Sequence, residues 1–76
     1  MSEAREIVDK VNALARTFYK MHGYGVTVGY RFDKASHPQE LGMWNMAAVA
    51  YAEIEGTDVD DALAELEDEE GESDGE

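Results

Sequence analysis

The chain has 76 residues, room for one domain only. It has no cysteine, and His22 and His37 are its only nitrogen ligands, so disulfides and the usual zinc cages are excluded. Its net charge is −12 and unevenly spread: residues 1–56 hold seven acids and all six bases, whereas residues 57–76 hold eleven acids and no base. Such a field repels nucleic acid and anionic membranes, which argues against direct contact with either, and it attracts basic surfaces. A core this small needs a supplement, and oligomerisation or folding against a partner is the one left open. No stretch is long and apolar enough for a membrane span, and the charged start Met1-Ser2-Glu3-Ala4-Arg5-Glu6 leads into no apolar signal-peptide region, so a cytoplasmic location is expected.

Residues 2 to about 21 predict an amphipathic helix. Ala4, Ile7, Val8, Val11, Leu14, Ala15, Phe18 and Met21 recur on one face of a 3.6-residue period. Ser2 is the expected N-cap, and Gly23 suits a left-handed C-cap. Residues 24–35 read as an extended crossover. Gly25, Gly29 and Val26-Thr27-Val28 oppose helix, and Tyr30 and Phe32 alternate with Arg31 and Asp33, so residues 25–32 could include a short strand.

Ser36-His37-Pro38-Gln39 matches a capping box with Ser36 at the N-cap and opens a second helix, which Gly56 ends. His37 reads as a local capping or surface residue. Trp44, Ala47, Ala48, Tyr51 and Ile54 form one face of this helix, and Met43, Met46, Val49 and Ala50 spread apolar surface round the rest. A helix apolar on most sides is expected to be the buried centre of the fold or part of a subunit interface. A third helix opens at Thr57, as N-cap, with Val59, Ala62, Leu63 and Leu66 as its apolar stripe, and fades near Asp68. The fold class expected is all-α: one helical domain over residues 1–68, packed through Val11, Leu14, Phe18, Trp44, Tyr51, Ile54, Leu63 and Leu66, followed by a disordered acidic tail over 69–76. A homodimer through Met43, Met46, Val49 or the crossover is also open.

Function points to binding rather than catalysis. There is no cysteine nucleophile, no phosphate-cradling glycine motif, and no Ser or Asp at a diagnostic spacing from either histidine, so no catalytic, cofactor or metal residues are expected. Asp58, Asp60, Asp61 and Glu65 offer hard oxygen ligands, but without the spacing or the glycine of an EF-hand loop. Asp58, Asp61, Glu65 and Asp68 recur at steps of 3, 4 and 3, which aligns carboxylates along one helical face at intervals broadly like those of phosphates on a DNA strand. They would compete with nucleic acid for a basic groove on another protein. The bland alternative is a solvated acidic tail that aids solubility. Among the aromatics, Phe18, Trp44 and Tyr51 read as core, while Tyr24, Tyr30 and Phe32 in the crossover are the expected exposed contacts with a partner.

The stretches Gly29-Tyr30-Arg31-Phe32-Asp33, His37-Pro38-Gln39-Glu40, Met43-Trp44-Asn45-Met46-Ala47 and Glu55-Gly56-Thr57-Asp58-Val59 look like those of small accessory proteins of phages and mobile elements. In size, charge and style the whole chain resembles small acidic anti-defence proteins, especially anti-CRISPR proteins and DNA mimics. That resemblance implies stoichiometric binding to a nucleic-acid-handling host complex and blockage of the site where target DNA enters. Carried onto this sequence by charge, it points to Asp58, Asp60, Asp61, Glu65, Glu67 and Asp68. The alternative is a small phage or mobile-element interaction or assembly module that makes its contact through the apolar second helix.

Overall fold

Three α-helices, α1 (Glu3–Met21), α2 (Pro38–Glu55) and α3 (Val59–Asp74), and one 3-10 turn (Phe32–Lys34) in the α1–α2 crossover make up the regular structure of the described residues. The computed structural model describes residues 3–27 and 29–74, with 70–74 in backbone only. The chain is all-α, and no strand occurs among the described residues. The expected cap at Ser2 lies outside them.

The apolar stripe of α1 is borne out in part: Ile7, Leu14 and Phe18 are half-buried, Met21 at the last position is 78 % exposed, and Tyr19, which the stripe did not include, is buried instead. Ala4, Val8, Val11, Ala15 and Tyr19, at steps of four, three, four and four, are all buried. The helix ends in a Schellman motif: the Tyr24 N–H donates to the Tyr19 carbonyl (3.2 Å), the Gly23 N–H donates to the Lys20 carbonyl (2.9 Å), and Gly23 takes φ 90°. The apolar contact that accompanies this motif is present too, as the stacking of Tyr24 on Tyr19 with centroids 5.0 Å apart.

Polar side chains of α1 tie the crossover down. Arg16 donates to the Thr27 carbonyl (3.0 Å) and the Val26 carbonyl (3.5 Å). Asn12 accepts from the Phe32 N–H and donates to Asp33 Oδ1 (2.8 Å). The chain reverses through a turn closed by Tyr30 N–H to Thr27 carbonyl (3.1 Å), with Gly29 at φ 86°.

The N-cap of α2 is His37, not Ser36. Pro38 at the first helical position forces the residue before it into extended backbone, and His37 sits at φ −78°, ψ 132°. Its Nδ1 accepts the Gln39 N–H (3.2 Å), and its carbonyl accepts the Leu41 N–H (2.9 Å). The other end follows the sequence, with Gly56 in the left-handed region and its N–H on the Ala52 carbonyl (2.8 Å).

The expectation that α2 is the buried centre is corrected. Only Trp44 and Ala47 of α2 are buried, Met46 and Val49 are exposed, and Ile54, expected in the core, is 77 % exposed. The centre is α1, which packs against both other helices more extensively than they pack against each other. The reason is scale: a chain this short covers one side of α2 and has nothing left for the other.

α3 begins one residue later than expected. Gly56 and Thr57 are used in the link, and Asp58 is the cap: its Oδ1 accepts the Asp61 N–H (3.3 Å) and its carbonyl accepts the Ala62 N–H (3.3 Å). Val59, Ala62 and Leu66 are buried and Leu63 is half-buried, as the stripe predicts. The backbone helix runs to Asp74, past Asp68 and into the stretch expected to be a disordered tail, because glutamate is a good helix former.

Candidate protein-binding surface

With one stripe of α3 buried, its acids are left on the outside. Asp58, Asp60, Asp61, Glu65, Glu67, Asp68 and Glu69 are all exposed. Asp61, Glu65 and Asp68 form one row, and Asp60 and Glu67, seven residues apart, form a second beside it. Glu3 joins them: it lines a shallow groove with Asp58, Asp61 and Glu65 between the first turns of α1 and α3. Spacing alone does not reveal this, because Glu3 reads as an ordinary first-turn acid. The ion pairs Arg5–Asp9 (3.6 Å) and Arg31–Asp33 (2.7 Å) both join residues outside α3. No three acid or histidine side chains among the described residues are arranged to hold a metal ion.

The expected aromatic contacts do not join this surface. Phe32 is 0 % exposed, which corrects its assignment as a partner contact. Its ring stands edge-on to Tyr19 (5.5 Å) and Tyr30 (5.0 Å) and fills the space between α1, α2 and the crossover. The alternation of Tyr30 and Phe32 with charged residues does not mark an extended two-sided segment: Phe32–Lys34 coils into a 3-10 turn, and the Asp33 side chain is buried along with the Phe32 ring. Tyr30 is half-buried, and Tyr24 is 50 % exposed. Tyr24 sits on Tyr19, whereas the acidic groove touches Ile7, about 18 Å away along the α1 axis. The acids and the tyrosines are therefore two separate places.

Glu40, which the sequence did not single out, is the hub behind the tyrosines. It accepts the Tyr30 hydroxyl at 2.7 Å and the Tyr19 hydroxyl at 3.2 Å, joining crossover, α1 and α2. The hydrogen bond to Glu40, with burial, pushes Tyr30 up to about 12; burial first, then the same carboxylate, raises Tyr19. Asp33, whose side chain is 1 % exposed, is held by a bidentate Arg31 and by Asn12. Burial pushes its carboxyl up, but the Arg31 and Asn12 hydrogen bonds and the Arg31 charge outweigh that, and the net effect is below the ordinary carboxylate range. These two sets of hydrogen bonds fix the crossover, one against α2 and α1 through Glu40 and Tyr19, the other against α1 through Asn12.

The other feature is apolar. Phe18, Asn45, Met46, Val49 and Ala50 line an open groove between α1 and α2. A second groove, formed by Asn45, Ala48, Val49 and Ala52 with Asp58, Val59 and Asp60, shares two of those residues. No helix of the described residues is long and apolar enough to cross a membrane. No family model, curated protein or solved structure matches the chain.

Proposed function

We propose that this protein binds a basic surface on another protein through α3 and so obstructs a site that would otherwise take nucleic acid. The observation that carries the reading is charge density. Val59–Asp74 holds nine carboxylates and no base. Spread over about 24 Å of helix, that is about one charge per 2.7 Å. Duplex DNA carries about one per 1.7 Å of axis, and each of its strands about one per 3.4 Å. The acidic helix lies between the two, and a groove evolved for phosphates meets a comparable field. The resemblance in character to anti-defence proteins supports a nucleic-acid-handling defence complex, such as a CRISPR effector, as the class of target, in the host cytoplasm.

The test is affinity capture from host extract at low and raised salt, using the native chain and a variant with Asp61→Asn, Glu65→Gln, Glu67→Gln and Asp68→Asn. These positions are exposed, so the fold is retained. The native chain should retain a protein that is released both by salt and by duplex DNA, and the variant should lose it. A partner that stays bound to the neutralised variant would end this reading. The second reading, an interaction module that works through α2 with the acids serving solubility, is favoured by the exposure of Met46 (49 %) and Val49 (63 %). It predicts that neutralising α3 leaves binding intact.

A further inference from the structure

From Leu41 to Ala52 α2 carries no charged residue, in a chain that is 32 % charged overall. Trp44 and Ala47 of that stretch are buried and Met43, Ala48, Tyr51 and Ala52 pack against the core, which leaves Met46 and Val49 exposed along an open groove. At Asn45 and Val49 this groove runs into the second one, whose far wall carries Asp58 and Asp60. The apolar groove thus adjoins, across Asn45 and Val49, a groove bounded by the carboxylates at the start of α3.

We infer that the exposed face of α2 and the first turn of α3 form one docking surface for a basic amphipathic helix of the partner. The inference rests on the cationic partner proposed above and names the element that partner presents. Charge complementarity decides the occupant. A purely basic loop would leave Met46 and Val49 wet. A purely apolar helix would desolvate Asp58 and Asp60 without compensation. A helix with leucines on one side and Lys or Arg at the margin satisfies both, because long basic side chains lie along apolar surface and place their charged ends beyond it. A second copy of this chain does not fit. Neither α2 nor α3 carries a base, α1 has most of its apolar face in its own core, and each copy brings a charge of −12. The apolar groove also suits a variable guest, since Met46 is unbranched and adaptable and Ala50 permits close approach.

The probe is a synthetic helical peptide of leucine and lysine with its leucines on one face, set against a scrambled peptide of the same composition with no apolar face. Each is titrated into the full-length, isotopically labelled chain and followed by amide shifts. The amphipathic peptide should move Asn45, Met46, Val49 and Ala50 together with Asp58 and Asp60, whereas the scrambled one should move the acids of α3 alone. The double variant Met46→Ser, Val49→Ser should weaken the amphipathic peptide about tenfold and leave the scrambled one unchanged. Its melting temperature, measured alongside, should hold, because both side chains are exposed. Equal affinity of both peptides, untouched by the double variant, would overturn the inference and leave the basic-surface reading standing. Failure of either peptide to move α3 would count against that reading itself. Sedimentation of the native chain as a dimer that the double variant dissociates would assign the face to a second copy and overturn the inference.

Discussion

Replacing Phe32 by alanine separates the two roles that this residue has been given. If it were an exposed contact in a loose crossover, truncation would leave stability within about 0.5 kcal/mol of the native chain and weaken binding. The structure has the ring fully buried, with two edge-on aromatic neighbours. Truncating a buried phenylalanine costs about 3–5 kcal/mol, including the cavity left behind, and the lost edge-on contacts fall within that figure at about 0.5–1.5 kcal/mol each. A chain of this length has about 4–11 kcal/mol in total. Each kcal/mol moves the midpoint of so small a domain by about 4–8 °C, so Phe32→Ala should melt at least about 12 °C lower or be unfolded at room temperature. Thermal and urea unfolding followed by circular dichroism measure this. Phe32→Leu, which keeps most of the volume, should cost under about 1.5 kcal/mol and bind a cationic partner as the native chain does. A Phe32→Ala variant that melts within about 3 °C of the native chain would refute the packing described here.

Asn12→Ala removes the acceptor of the Phe32 N–H and a donor to Asp33, and should cost about 2–3 kcal/mol in urea unfolding; a loss under about 0.5 kcal/mol would mean that apolar contact alone holds the crossover. His37→Ala should cost about 0.5–1 kcal/mol and Ser36→Ala nothing measurable, and the reverse order would restore Ser36 as the cap. Tyr30 holds its proton more tightly folded than unfolded, so the stability it gives is complete below pH 10 and is lost as pH rises towards about 12. Melting temperature against pH should therefore fall more steeply across that window in the native chain than in Tyr30→Phe, and parallel curves would contradict the Glu40 contact. Asp33 has the opposite sign: its carboxyl is depressed in the fold, so its contribution is present above the ordinary value of 3.8 and is lost as pH falls through the lower folded one, and Asp33→Asn should flatten that acid limb.

What was legible in the sequence was whatever periodicity or backbone chemistry decides locally. The α1 stripe as far as Phe18, the glycine stops at Gly23 and Gly56 and the α3 stripe appear where spacing and positive φ require them, whereas Met21 is exposed and Tyr19 buried in its stead. What was not legible depended on how much protein is available to cover a surface. α2 is apolar almost all round, and burial on most sides is the ordinary consequence, yet two short helices and a crossover cannot wrap it. Caps moved by one residue for local reasons: Pro38 places the cap on its predecessor, and Asp58 outcompetes Thr57 by position. Phe32 went from expected contact to core because residues 32–34 coil into a 3-10 turn, tied to α1 by Asn12, instead of continuing extended, and alternation over four residues does not reveal such a turn. Glu40 and Asn12 carried no signal, since a single polar residue at the edge of an apolar face looks like any surface residue until its partner arrives from ten or more positions away.

The acidic helix carries an internal conflict that bears on its proposed role. Asp58, Asp60 and Asp61 sit where the helix dipole favours anions. Beyond them, pairs such as Asp61–Glu65 and Glu65–Glu69 stand one turn apart with like charge, and each opposes the helix by about 0.2–0.5 kcal/mol. Among the residues whose side chains are described, the buried stripe ends at Leu66, and Glu67, Asp68 and Glu69 are exposed, with no packing to offset that repulsion. Salt therefore acts on this chain in two opposed ways. Screening relieves the repulsion within α3 and should raise the helicity and melting temperature of the free chain. The same screening weakens attraction to a cationic partner, since the Debye length falls to about 10 Å at 0.1 M and about 3 Å at 1 M. A chain that uses its acids only for solubility would show the first response and not the second. Circular dichroism and partner affinity measured across one salt series distinguish the two: helicity should rise as affinity falls, and an affinity indifferent to salt while helicity climbs would remove α3 from the contact.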